Sequence, residues 1–366
     1  MQIRRRQLIF FAAVAASGVA CDRWDLVSGN RAAADSIIDV AGNSAATDQL
    51  PPGDRSPSSP SVRIVVLSDL NSQYGSTTYE PEVDQAIRLI PGWKPDLVLC
   101  GGDMVAGQKR ELSNAQVTAM WDAFDRHIRQ PLAAAKIPLG FTLGNHDASG
   151  ARRDGILSFE RDRNLARDYW THPSHDPGLN FVDRTHFPFY YTFQQNEIFY
   201  LVWDASTAQI SSAQFAWVDQ SLSSAQARSA KLRIALGHLP LYPVAVGRDR
   251  PGEFLDGGEA LRSRLEHYNV HTYISGHNHA YYPGFRGQLE LLHSGAIGSG
   301  PRQLIGSDRP PQKTVTIVDI LADSARSLYT TYQLPSLELL TPAMLPPRIQ
   351  STSSPETPVT RRDLRS

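Results

Sequence analysis

Five short clusters of the sequence carry side chains that bind metal ions in proteins. Each is rich in Asp, Asn or His, and they are Ser68-Asp69-Leu70-Asn71, Gly101-Gly102-Asp103, Gly144-Asn145-His146-Asp147, Gly237-His238 and Gly276-His277-Asn278-His279. Carboxylates, amide oxygens and imidazoles suit hard or borderline ions such as Mn, Fe or Zn. The clusters therefore point to a metal site built without thiolate ligands.

Taken singly, several clusters have an ordinary structural explanation. An Asp or Asn after a strand often caps a turn, and a lone His beside Gly is often a structural residue. His277 and His279 are more specific, because their spacing in a turn lets two imidazoles diverge toward neighbouring cations. The segment 144–147 is the most specific, since it joins an amide oxygen, an imidazole and a carboxylate at one glycine turn. A hydrogen-bonded loop brace remains the alternative for that turn.

The clusters follow strands of a predicted α/β domain. Short apolar runs predict strands at 62–68, 96–100, 139–143, 187–193, 198–204, 232–237, 271–274, 281–285, 288–293, 313–320 and 326–333. Amphipathic stretches predict helices at 80–90, 113–134, 155–170, 211–226 and 257–267. Loops past the carboxyl ends of strands converge at one edge of an α/β sheet, so residues far apart in sequence can line one crevice. The five clusters can therefore build a single site.

The order of the clusters resembles the calcineurin-like metallophosphoesterases. The pattern Asp…Gly-Asp…Gly-Asn-His-Asp…Gly-His…Gly-His-x-His extends over about residues 62–300. This resemblance implies an α/β fold in which two mixed β-sheets are flanked by helices, an αββα sandwich. It also implies an enzyme that hydrolyses phosphomonoesters or phosphodiesters at a dinuclear centre, where a metal-bound hydroxide attacks phosphorus. The two ions would be divalent or mixed-valence Mn, Fe or Zn.

The resemblance further implies a role for each matching residue. Asp69 and His279 would hold one metal ion, Asn145, His238 and His277 would hold the other, and Asp103 would bridge them. His146 would lie just outside the metals and protonate the leaving oxygen or stabilise charge on the phosphoryl group. Asp147 would orient the His146 ring or the loop.

Two positions depart from related patterns. The family usually has His two residues after its first Asp, and this chain has Asn71 there. Asn71 remains a candidate ligand through its carbonyl oxygen, but an amide is a weaker donor to Zn or Fe than imidazole. This substitution predicts a loosely bound first metal or a preference for Mn. Purple acid phosphatases place a Tyr three residues after the bridging Asp, where this chain has Ala106, so the sequence is not assigned to that subgroup.

Composition limits the other classes of function. Lys and Arg total 36 against 37 Asp and Glu in 366 residues, so no global basic field indicates nucleic-acid binding. Cys21 and Cys100 are too few for a disulfide framework or a cysteine-built zinc site. A zinc peptidase would need a His-Glu-x-x-His motif, which the sequence lacks. The expected partner is a small phosphate ester, and no pattern indicates an oligomeric state.

The first 21 residues are predicted to be an export signal. Arg4–Arg6 precede an apolar run too short to span a bilayer, and small residues lead to Cys21. Arg5-Arg6-Gln7-Leu8-Ile9 resembles a twin-arginine signal, and Gly18-Val19-Ala20-Cys21 resembles a lipoprotein cleavage site. Ordinary cleavage before Cys21 fits nearly as well. The expected location is the periplasm or cell envelope, and membrane attachment through a lipidated Cys21 is a hypothesis.

Composition also predicts the domain boundaries. Residues 22–61 and 335–366 are rich in Pro, Ser and other small or polar residues, and both are predicted to be disordered, as a tether and a tail. The metallophosphoesterase domain is predicted at 62–334. An alternative function is a non-catalytic metal-binding surface protein that retains this fold. Asn71 supports that alternative, whereas His146 argues against it, because a decayed site has no chemical reason to keep an acid beside the metals.

Overall fold

The computed structural model describes residues 60–321, 326–353 and 356–365. The predicted export signal at 1–21 and nearly all of the predicted tether at 22–61 lie outside these residues. None of the described helices has the length and apolar composition that crossing a bilayer requires.

The described residues form sixteen strands, and every predicted strand overlaps one of them. They are β1 (Pro60–Leu67), β2 (Leu97–Cys100), β3 (Leu139–Phe141), β4 (Arg152–Arg153), β5 (Ile156–Leu157), β6 (Phe181–His186), β7 (Tyr190–Gln195), β8 (Ile198–Val202), β9 (Leu232–Leu236), β10 (Thr272–Ser275), β11 (Tyr282–Arg286), β12 (Leu289–His293), β13 (Lys313–Leu321), β14 (Ser327–Leu334), β15 (Arg348–Ile349) and β16 (Val359–Arg361).

Of the eight α-helices in the described residues, seven overlap predicted ones, and the short helix at Asn145–Ala148 does not. The start of the predicted helix at 155–170 is instead strand β5. The eight helices are α1 (Pro81–Trp93), α2 (Asn114–Phe124), α3 (Gln130–Ala134), α4 (Asn145–Ala148), α5 (Glu160–Thr171), α6 (Ser212–Leu222), α7 (Ala225–Ser229) and α8 (Gly258–His267). A π-helical turn at Asp125–Arg129 joins α2 to α3 within the predicted helix at 113–134. The predicted helix at 211–226 is divided, because Ser224 accepts a hydrogen bond from the Ala227 amide and starts α7.

The strands form two mixed sheets, as predicted. The first sheet has the order β14-β13-β1-β2-β3, in which β1, β2 and β3 are parallel and β13 and β14 are antiparallel to their neighbours. The second has the order β15-β16-β11-β12-β10-β9-β8-β7-β6, and its central strands β8, β9, β10 and β12 are parallel. A separate hairpin, β4–β5, precedes α5.

Strand β14 shows how the layers pack. Its alternate side chains point to opposite faces. Tyr329 reaches the second sheet, where its hydroxyl lies 3.2 Å from Glu290 of β12. Tyr332 lies on the other face and stacks on Trp93 of α1, with ring centroids 5.8 Å apart. On the far side of the second sheet, α8 contacts β12. The two sheets therefore face each other between helices.

This topology brings five strand ends to the predicted site. The clusters beginning at Ser68, Gly101 and Gly144 follow the carboxyl ends of the parallel strands β1, β2 and β3. Those beginning at Gly237 and Gly276 follow β9 and β10 of the second sheet. Because parallel strands end at the same edge of a sheet, each sheet delivers its clusters to one side of the sandwich.

The segment after Leu334 differs from the predicted disordered tail. Its described residues include β15 and β16, which pair with each other, and β16 also pairs with β11. Arg362 then binds the buried Glu290, with Nε 2.8 Å from Oε2. The composition of a segment does not show that it will pair with a distant strand or bind a buried carboxylate. The pairing of β16 with β11 and the Arg362–Glu290 ion pair hold the described residues of this segment against the domain.

Candidate metal centre

Four of the predicted metal ligands have a left-handed backbone. Asp69, Asp103, His277 and His279 have φ values of 53°, 53°, 64° and 53°. This conformation is uncommon for residues other than glycine and tends to cluster at functional sites. The sharp turns after β1, β2 and β10 are therefore built around the side chains that could bind a metal.

The glycines of the clusters make room for these side chains. A Cβ on Gly144 would come within 2.1 Å of Oδ1 of Asp103, and one on Gly276 would come within 2.1 Å of Oγ of Ser68. Gly102 has a φ of +96°, where an L side chain would be strained. Glycine precedes the ligands because no larger residue fits between the converging loops.

Asp69, Asp103 and His238 form the buried middle of the site. One potential ligand atom from each lies within 4.8 Å of the other two. His238 Nε2 is 3.4 Å from Oδ2 of Asp103. His238 Nδ1 donates to the Gly101 carbonyl at 2.8 Å, which fixes the ring with Nε2 toward the carboxylates.

Asn145 and His277 extend this group on one side. Oδ1 of Asn145 lies 3.0 Å from both His238 Nε2 and His277 Nδ1. The two imidazole nitrogens are themselves 3.3 Å apart. Three neutral donor atoms, two of nitrogen and one of oxygen, thus converge on one point, as expected for ligands of a single ion.

His279 extends the group on the other side. Its Nε2 lies 3.2 Å from Oδ1 of Asp69, and its Nδ1 lies 2.8 Å from the Gly300 carbonyl. The Asp69 carboxylate is also held by the Ser68 hydroxyl at 2.6 Å and the His277 amide at 3.2 Å. His277 and His279 therefore serve different halves of the site, although only Asn278 separates them.

The electrostatics of this group favour a bound cation. Burial opposes ionisation of Asp69 and Asp103, but nearby histidines outweigh it and hold the pKa of both carboxyls below its usual value. Burial also opposes protonation of His238, but Asp103 prevails and raises the pKa of His238 to about 9. Burial and Arg248 lower the pKa of His277 to about 3. The two carboxylates are thus ionised, and a metal ion would displace the proton of His238.

His146 lies beside the centre rather than within it. Its backbone amide donates to Oδ1 of Asp103 at 2.9 Å, and its Nε2 is 3.9 Å from Oδ2 of the same carboxylate. Nδ1 faces the Gly107 carbonyl at 3.4 Å, and the ring of Tyr74 lies 5.2 Å away, centroid to centroid. Burial lowers the pKa of His146.

Asp147 braces loops, and none of the described hydrogen bonds of its carboxylate goes to the His146 ring. Its fully buried carboxylate accepts backbone N–H groups from Met104 at 2.8 Å, Val105 at 2.9 Å and Gly144 at 2.8 Å. Burial raises the pKa of Asp147 to about 7, and the neighbouring Asp103 acts in the same direction. Of the two predicted roles, these contacts fit the orientation of the loop.

Comparison with protein families decides the class of protein. A family model described as calcineurin-like phosphoesterase matches residues 62–281, more than half of the chain. The chain belongs to this family. A search of curated proteins gave no match.

A solved structure shows the same fold at low sequence identity. The purple acid phosphatase PPD1 of yellow lupin (Lupinus luteus) is 16% identical with a TM-score of 0.55, over 76% of this chain and 52% of the lupin chain. The chain thus spans about half of the lupin protein. GAP50, described as the anchor in the inner membrane complex of Plasmodium, is 14% identical with a TM-score of 0.46, over 76% of this chain and 87% of GAP50. At its identity of 16%, the lupin match shows the fold alone.

Asn71 stands where the calcineurin-like phosphoesterases usually have His. Its backbone is hydrogen-bonded to neighbouring loops of the candidate centre. Its amide donates to the Asp103 carbonyl at 3.1 Å, and its carbonyl accepts the Ser299 amide at 3.0 Å. The residue is buried. The backbone of the loop after β1 therefore lies against Asp103, the candidate ligand after β2.

Two side chains outside the motifs contact candidate metal ligands. Gln108 Oε1 accepts a hydrogen bond from Nδ2 of Asn145 at 2.7 Å, which turns Oδ1 toward His238 and His277. Glu253 Oε2 lies 2.9 Å from His277 Nε2. These residues are distant in sequence from the side chains they contact, and nothing in their local sequence signals the contact.

Proposed function

We propose that the chain is an exported metallophosphoesterase that hydrolyses a phosphate monoester or diester at a centre of two metal ions. Family membership and the buried group of Asp69, Asp103 and His238 support a metal-dependent phosphoesterase. The observation that carries the two-metal proposal is the position of Asp103, with donor residues on both sides. His279 pairs with Asp69 on one side, and Asn145 pairs with His277 on the other.

The donor set fits Mn, Fe or Zn. It combines carboxylate and amide oxygens with imidazole nitrogens and includes no thiolate. Cys100 is buried, and burial raises the pKa of its thiol well above the usual value, so it stays protonated. Asp69 and His279 would hold one ion, Asn145, His238 and His277 the other, and Asp103 both. Two such ions, when bound, neutralise the phosphoryl oxygens and make a water molecule nucleophilic at neutral pH.

The residues of the chain supply positioning and proton transfer. The His146 amide donates to Asp103, so a hydrogen bond links the proposed bridging carboxylate to the backbone of the proposed acid. With Nδ1 of His146 donating to the Gly107 carbonyl, Nε2 is the atom that would give a proton to the leaving oxygen, and it carries that proton only when the ring is protonated on both nitrogens. Asp147 fixes the loops after β2 and β3 in one arrangement by accepting N–H groups from both.

The test is turnover of a model phosphodiester and a model phosphomonoester by the purified full chain, with Mn, Zn or Fe added in turn. We expect metal-dependent hydrolysis in the wild type and its loss in Asp103→Asn, which removes the bridging charge. The ratio of the two rates assigns the ester class. Absence of turnover with every metal would contradict the proposal.

A second candidate function is a non-catalytic metal-binding surface protein with this fold. Asn71 favours it, because a neutral amide replaces the imidazole usual in the family. Absence of turnover combined with stoichiometric binding of one ion would favour this candidate. Asn71→His would then be the first replacement to test for a second ion.

The predicted export signal at 1–21 favours a location in the periplasm or cell envelope. Twin-arginine export carries folded proteins, which suits a protein loaded with metal in the cytoplasm. Cell fractionation tests this location. Mass spectrometry of the membrane-extracted protein tests lipidation, since an unmodified Cys21 would exclude a lipid anchor.

A further inference from the structure

The loop between β9 and α8 places a carboxylate against the outer edge of the His277 ring. Glu253 Oε2 lies 2.9 Å from His277 Nε2 and 2.5 Å from Nη1 of Arg248. The other ring nitrogen, Nδ1, faces Asn145 and His238. One edge of the ring therefore meets the metal centre and the opposite edge meets a carboxylate.

This contact selects the form of the ring that can bind a metal. A neutral imidazole carries its proton on one nitrogen, and only the other nitrogen has a free lone pair. Glu253 is acceptor-only when ionised, so it favours a proton on Nε2 and leaves Nδ1 free. Arg248 could stabilise the opposite form by donating to Nε2, but it lies farther away, at 3.4 Å, and its Nη1 is already bound to Glu253.

The backbone holds Glu253 in this position. Its amide donates to the Arg250 carbonyl at 3.1 Å, and the backbone amide of the fully buried Leu255 donates to the Pro240 carbonyl at 2.9 Å. Oδ1 of Asn278, the residue between the two histidines, accepts the Val244 amide at 2.7 Å. The loop that carries Glu253 is thus tied directly to the turn that carries His277.

We infer that Glu253 is a positioning residue that fixes the ring of His277 and thereby sets the affinity of the metal ion held with Asn145 and His238. The inference rests on the proposed two-metal function. Residues that fix metal-binding histidines in this way commonly change metal affinity by about 10- to 100-fold when they are replaced. Glu253 does not face the Asp69–His279 side, so that side should keep its affinity.

The experiment is a calorimetric titration of the metal-free full chain with Mn²⁺. Wild type is compared with Glu253→Ala, which removes the carboxylate, and Glu253→Gln, which keeps an acceptor oxygen. Glu259→Gln is the matched control, because Glu259 also pairs with arginines, Arg262 and Arg286, but on α8 and away from the ligands. Thermal unfolding of the metal-free variants checks that each one folds, and Glu253→Gln keeps the test available if Glu253→Ala does not.

We expect one of two Mn²⁺ sites to weaken by about 10- to 100-fold in Glu253→Ala and by less in Glu253→Gln. The other site and the Glu259→Gln control should match the wild type. Unchanged affinities in both Glu253 variants, with two ions bound by the wild type, would overturn this inference alone. A wild-type chain that binds no second ion would overturn the proposed two-metal function, and the inference with it.

A double variant separates ring positioning from simple charge. Loss of Glu253 also frees the positive charge of Arg248 near the metal, and this charge could repel an ion. Glu253→Ala combined with Arg248→Gln removes that charge. We expect the double variant to remain weak, because His277 still lacks its anchor. Recovery of wild-type affinity would assign the effect to Arg248 and overturn the positioning role.

Discussion

His146 is the residue at which metal binding and catalysis can be separated. Its amide binds Asp103, while its ring lies outside the convergent donors. His146→Ala keeps the amide and removes the ring. We predict that the variant binds as much metal as the wild type and that kcat falls by about 100-fold or more, the usual contribution of a general acid. Metal analysis and steady-state kinetics on one sample measure both quantities.

The control for His146 is His172→Ala, because His172 is exposed and the described hydrogen bonds of its side chain go only to Ser174. It should retain wild-type kcat. Unchanged turnover in His146→Ala would remove His146 from the mechanism.

For single residues, the sequence names candidates but not the contacts around them. The spacing of His277 and His279 in a turn predicts that two imidazoles can diverge toward neighbouring cations. The structure places the first ring beside Asn145 and the second beside Asp69. Glu253 was missed because its contact with His277 depends on how a loop without regular structure folds back.

At the scale of elements, strand β12 carries a buried histidine that makes stability depend on pH. His293 lies between the carbonyls of Tyr282, at 3.3 Å, and Tyr242, at 3.0 Å, and burial lowers the pKa of His293 from 6.5 to about 4. The unfolded chain therefore binds a proton between pH 6.5 and 4 that the folded chain does not. We predict that the free energy of unfolding falls as pH drops through this range, by on the order of 3 kcal/mol.

Urea unfolding of the metal-free protein at several pH values measures this effect. His293→Gln should reduce the dependence between pH 6.5 and 4 by the share of this one group. His277 and His146, whose pKa values are also lowered, keep the remainder. Replacement of the exposed His172 by Gln should leave it unchanged. Equal slopes in wild type and His293→Gln would show that another group is responsible.

The C-terminal segment is the second element whose role can be measured. Arg362 supplies the cation for Glu290, which is buried on β12, and also lies 2.9 Å from the Ser327 hydroxyl of β14. Loss of one partner leaves a buried carboxylate poorly compensated. We predict that Arg362→Ala lowers the free energy of unfolding by about 2 to 3 kcal/mol.

Chemical denaturation compares Arg362→Ala with Arg348→Ala, which removes an exposed arginine from the same segment. The second variant should lie close to the wild type. Equal effects of the two variants would mean that the ion pair does not hold the segment in place.

The positions of strands and helices within the domain could be predicted from apolar periodicity. The points at which a predicted helix is interrupted could not. The strands that end at the site are short apolar runs, and their positions could be read from the sequence within a few residues. The π-helical turn inside the predicted helix at 113–134 has no signal in the apolar pattern. The pairing of β16 with β11 joins residues far apart in sequence. Local patterns carry no information about such contacts.

In the molecule as a whole, the two sheets supply chemically different halves of the candidate centre. The first sheet supplies Asp69, Asp103 and Asn145 from the ends of β1, β2 and β3. The second supplies only imidazoles, from His238, His277 and His279, at the ends of β9 and β10. Oxygen donors thus come from one sheet and nitrogen donors from the other. The centre exists only when the two sheets pack together, so folding and metal binding should be coupled.

The most direct test of the two-metal centre is the position of bound metal in crystals of the Mn-loaded full chain, located by anomalous scattering. We predict two peaks, one on each side of the Asp103 carboxylate. One peak should lie against Asp69 and His279, and the other against Asn145, His238 and His277. A single peak, or none at these residues, would contradict the two-metal centre on which the proposed hydrolysis depends.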